Sequence, residues 1–61
     1  MMPAQAKQIV YQEYRNAMEA TSGDRNKAIA LMVERGQTDH ELLLAMSTYI
    51  ADAIRRGTEN D

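Results

Sequence analysis

No cysteine occurs in this chain of 61 residues, and that conjunction narrows what the chain can fold into more than any motif does. A domain of this length buries a smaller share of its surface than a larger one and commonly needs a disulfide, a metal or a partner chain to hold it together. Without cysteine, disulfides and thiolate metal sites are closed to it. Close helix packing and association are left. The same absence favours a reducing compartment, so a cytoplasmic location is expected. The length allows one domain. No apolar run approaches the roughly 18 residues that span a membrane, so no membrane partner is expected.

The local signals are helical throughout. Pro3 stands where a first helical residue is well tolerated. Gly23, Gly36 and Gly57 each follow a stretch of helix-forming residues, and glycine just past a helix end is the commonest stop. These marks predict an all-α fold, a small three-helix bundle with helices over about residues 3–21, 24–35 and 38–56. The single helical domain covers residues 1–57, and residues 58–61 read as a flexible tail.

At 100° per residue, Leu42, Leu43, Met46, Tyr49, Ile50, Ala53 and Ile54 fall within about 140° of the third helix. That arc is an ordinary core-facing stripe, with Thr48, Asp52 and Arg55 on the other side. Leu44 is the exception, an apolar residue set among the polar ones. The first two helices spread their apolar residues over about 200° each, and Lys7 and Glu13 lie inside the arc of the first. Glu13 is expected to snorkel to solvent or to pair with a nearby basic residue. Arcs this wide ask for more cover than two short neighbours supply, which points to a homodimer or a partner protein.

The only histidine lies in "GQTDHE", residues 36–41. A zinc-protease helix requires a second imidazole four residues on, and that position is Leu44. Asp39 and Glu41 flank His40 in sequence but point about 100° apart on a helix, so the three do not converge on one ion. Thr38 and Glu41 instead have the spacing of a capping box, with the Thr38 hydroxyl expected to accept from the Glu41 N–H. On that reading Thr38→Ala costs about 1 kcal/mol. Neither Ser22 nor Ser47 has a local base, and there is no glycine-rich phosphate loop. The chain is therefore read as a non-enzyme, with no cofactor and no metal.

Residues 17–32, "AMEATSGDRNKAIALM", carry a helix end at Gly23-Asp24 followed by a helix opening with Lys27 before Ala28. This stretch resembles the first part of a helix-turn-helix of the factor-for-inversion-stimulation type and covers about a quarter of the chain. The resemblance implies a basic recognition helix next. Residues 38–50 instead contain no Lys, Arg, Asn or Gln, the side chains that reach bases and phosphates. The net charge is −2, and nucleic-acid binders usually show a basic stripe. Nucleic acid is accordingly the less favoured partner. A DNA-binding regulator using residues 17–50 stands as the alternative function, and a structural small subunit of a larger assembly as another.

The preferred reading is a non-enzymatic protein-interaction module, a small regulator or inhibitor of the bacterial or phage type that occludes a protein partner. Lys7, Tyr11, Arg15 and Met18 recur on one face of the first helix, and Tyr14 borders it. Tyr and Arg are enriched at binding hot spots, and Met adapts to irregular surfaces. Leu44 joins these five as a candidate contact.

Overall fold

The computed structural model describes residues 1–59, with side chains through Gly57. Three helices follow in order, α1 (Pro3–Ala20), α2 (Arg25–Gly36) and α3 (His40–Glu59). The all-α three-helix bundle expected from the sequence is the fold, with no strand among the described residues. Of the residues read as a tail, Thr58 and Glu59 continue α3, and the last two lie outside the described residues.

Pro3 occupies the first turn of α1, where its missing N–H costs no hydrogen bond. The helix closes on a left-handed turn. Gly23 N–H donates to the Met18 carbonyl at 2.8 Å and Ser22 N–H to Glu19 at 3.3 Å, the paired bonds of a Schellman cap. Ser22 sits at φ 55 and Gly23 at φ 85. The turn thus needs one left-handed residue more than its glycine supplies. Asp24 then caps α2, its carboxylate accepting from Lys27 N–H at 3.0 Å.

The start of α3 differs from the predicted capping box by one residue. Thr38 N–H, Thr38 Oγ1 and Asp39 N–H all donate to the Arg35 carbonyl, at 3.1, 3.3 and 3.0 Å. Thr38 is spent on ending α2. Asp39 is the cap, its carboxylate accepting from Leu42 N–H at 3.1 Å. Asp39→Ala should therefore lower stability by about 1 kcal/mol and Thr38→Ala by clearly less. Urea titration of the two variants side by side checks this, and equal losses would return the cap to Thr38.

Two glycines act otherwise than as stops. Gly57 lies inside α3, which runs on to Glu59. Gly36 is the last residue of α2 and is buried. A Cβ there would sit 3.7 Å from Met46 Sδ and 3.9 Å from Leu43 Cα, so this is where α2 and α3 approach. Those are ordinary contact distances, and Gly36 is not left-handed. Gly36→Ala is expected to raise stability by about 0.5–1 kcal/mol through helix propensity. A left-handed stop glycine would give the opposite sign in the same melt.

The core is small-residue packing around α1, which touches both other helices more than they touch each other. Ala17, Ala28 and Met32 form its centre, with Val10, Tyr14, Met18, Leu31 and Met46 packed against it. Ala6, Leu42 and Ala45 are also buried, and Leu42 is the largest side chain fully enclosed. Pro3 and Lys7 share a depression with Asp52 and Arg56, while Glu13 shares one with Glu41, so α1 and α3 run antiparallel. Glu13 pairs with Arg35 of α2 at 3.4 Å, both partly exposed. A pair of this exposure fixes orientation more than it adds stability.

The predicted core stripe of α3 is rotated. The face turned inward carries Leu42, Ala45, Met46 and Tyr49. Asp52, expected outside, has a side chain only 13 % exposed and is held by Arg55 and Arg56 at 2.8 and 3.0 Å. Leu43, Ile50 and Ile54 are 47, 55 and 65 % exposed. The antiparallel seat of α1 decides which side is covered, and half the apolar arc is left over.

Candidate functional site

All three tyrosines, the only aromatic residues in the chain, line one apolar groove of about 420 Å³. Val10, Tyr11 and Tyr14 of α1 contribute to it. Arg25, Ile29 and Met32 come from α2, and Met46, Tyr49 and Ile50 from α3. α2 and α3, which approach at Gly36, touch each other less than either touches α1.

Tyr11 is the pivot. Its ring meets Tyr49 edge-on, with centroids 5.9 Å apart and planes at 64°, the offset geometry that aromatic quadrupoles prefer. Lys7 Nζ lies 5.4 Å from the Tyr11 centroid, within cation–π range. Held on two sides, the ring is still 51 % exposed. The Tyr49 phenol is raised above its ordinary value of 10.0, first by a hydrogen bond with the Tyr11 hydroxyl and then by that group's charge; burial adds to this and Arg56 opposes it. The Tyr49 hydroxyl is therefore neutral at pH 7 and presents no anion to the groove.

Five of the six sequence-predicted contacts come together. Tyr11, Tyr14, Arg15 and Met18 line one shallow depression on α1, and Lys7 adjoins it through the Tyr11 ring. Met18 and Tyr14 also serve the core, so their outer atoms alone are available. Leu44 is exposed but lines neither the groove nor that depression. It stands about 120° around α3 from Ile50. Sequence reasoning missed Arg25, Ile29 and Tyr49 as members. The wide apolar arc of α2 was a signal for Ile29. Nothing local marks Arg25 or Tyr49, which arrive by tertiary packing.

Among the described residues no helix is long and apolar enough to cross a membrane. Compared with protein-family models, curated proteins and solved structures, the chain finds no match.

Proposed function

We propose that this chain is a non-enzymatic protein-interaction module, a small cytoplasmic regulator or inhibitor that docks a protein partner on the α1 face of Lys7, Tyr11, Tyr14, Arg15 and Met18. The observation that carries the reading is the state of Tyr11, half exposed yet fixed by Lys7 and Tyr49. An aromatic ring already immobilised gives up little conformational freedom on binding, which is what makes a good anchor. Arg15, exposed beside it, supplies the second residue type most often found at hot spots. The absence of cysteine supports the reducing compartment.

The exposed side of α3 favours this reading over DNA binding. It carries Leu43, Leu44 and Ile50 where a base-reading helix carries Arg, Lys, Asn or Gln. Affinity capture from the native host with wild type, Tyr11→Ala and Arg15→Ala tests the proposal. A hot-spot loss of about 2 kcal/mol corresponds to roughly 30-fold weaker binding of the captured protein, with helicity unchanged by circular dichroism. Equal capture by both folded variants would remove α1 as the docking face.

A further inference from the structure

We infer that the outer face of α3 is the contact between two copies of this chain, α3 lying antiparallel on its counterpart about a two-fold axis at Ile50. The inference does not rest on the function proposed for α1, whose Tyr11 and Tyr14 share a groove with Ile50.

The first support is area. A folded monomer of 6.9 kDa exposes about 4,000 Å², whereas this chain exposes 4676 Å². The excess, about 700 Å², is close to the roughly 800 Å² that each partner contributes to a standard stable interface. Among the exposed apolar side chains, Ile29 and Val33 of α2 and Leu43 and Ile50 of α3 are all near half exposed.

The second support is the pattern along α3. Leu43, Ile50, Ala53 and Gly57 follow the seven-, three- and four-residue spacing of a helix-pairing seam, with Met46, half-buried against the core, on its inner edge. No charged residue occurs from Leu42 to Ala51. On α3 itself the nearest charges, Asp52, Arg55 and Arg56, lie about 120° or more around the helix from Ile50, and both arginines are engaged with Asp52; from α2, Arg25 lines the groove that Ile50 borders. A two-fold contact sets each group near its own image, so a charge-free seam is what such a contact requires. It is also a poor match for a charged partner.

The third support is size complementarity. With Ile50 against Ile50, antiparallel register sets Leu43 against Gly57, a large side chain against the smallest. Gly57 is otherwise without a reason. It sits inside a helix, where glycine is disfavoured, and a Cβ there meets nothing within 4 Å in the single chain. A leucine from the second copy explains the missing side chain.

Sedimentation equilibrium of the full chain at micromolar concentration should return twice 6.9 kDa. Ile50→Glu puts two carboxylates at the axis and should raise the dissociation constant more than about 100-fold. Gly57→Leu guards against a folding failure. It fills open space in the single chain and favours helix, yet should weaken the dimer about tenfold or more by closing the pocket for Leu43. Because the chain has no cysteine, Ile50→Cys reports orientation and should oxidise to a cross-linked dimer, while Leu43→Cys should not. A wild type of monomer mass, a dimer untouched by both Ile50→Glu and Gly57→Leu, or cross-linking at residue 43 as readily as at 50 would each overturn the inference.

Discussion

Leu42→Ala is expected to lower the unfolding free energy by about 3 kcal/mol, the middle of the range for emptying a leucine site. A domain this small has only about 3–5 kcal/mol from its core, so the variant keeps about 0–2 kcal/mol and should be partly unfolded at room temperature. The reason is local. Leu42 is the one large side chain fully enclosed, at the first turn of α3, where the Asp39 cap fixes the helix start. Leu44→Ala is the control. That side chain is 45 % exposed, and its removal should stay within about 0.5 kcal/mol. Thermal and urea melts of the pair decide the matter, and equal losses would mean that α3 is rotated from the position described.

The second large effect has an unintuitive sign. Ala17→Leu adds apolar surface to a short protein yet should destabilise it by about 2–3 kcal/mol. Ala17 and Ala28 are fully enclosed in the centre of the core, and the helices approach closely because neither side chain extends past its Cβ. A leucine there must push backbones apart or leave its preferred rotamer. Ala30→Leu, on the exposed side of α2, should be nearly neutral by the same melts. A stabilised Ala17→Leu would show that the crossing has room to spare.

Much of the fold was legible in the sequence because its punctuation is local. Pro3, Gly23 and Asp24 act through their own backbone neighbours, and the helices appear within one to three residues of the predicted ends. What was misread depends on partners remote in sequence. Thr38 and Asp39 are both competent caps, and the pull of the Arg35 carbonyl decides between them. Gly36 leaves the same mark whether it ends a helix or admits a neighbour, and only the nearness of Leu43 and Met46 tells the two apart. The leucines at 42, 43 and 44 are equivalent to any composition rule, but the seat of α1 buries the first and exposes the others. For the candidate site, helical spacing on α1 was enough to gather Tyr11, Arg15 and Met18. Tyr49 and Arg25 join them through packing that no window of sequence encodes.

The turn between α1 and α2 carries a further consequence for the order of assembly. None of its closing hydrogen bonds spans more than five residues, so the loop entropy of forming it is small and that hairpin is quick to close. The Tyr11–Tyr49 contact joins α1 to α3 and has to wait for α3. A nascent chain still lacking α3 carries Tyr11 but not the Tyr49 ring that steadies it. The Tyr11 anchor of the docking face proposed above therefore sets only when α3 has docked.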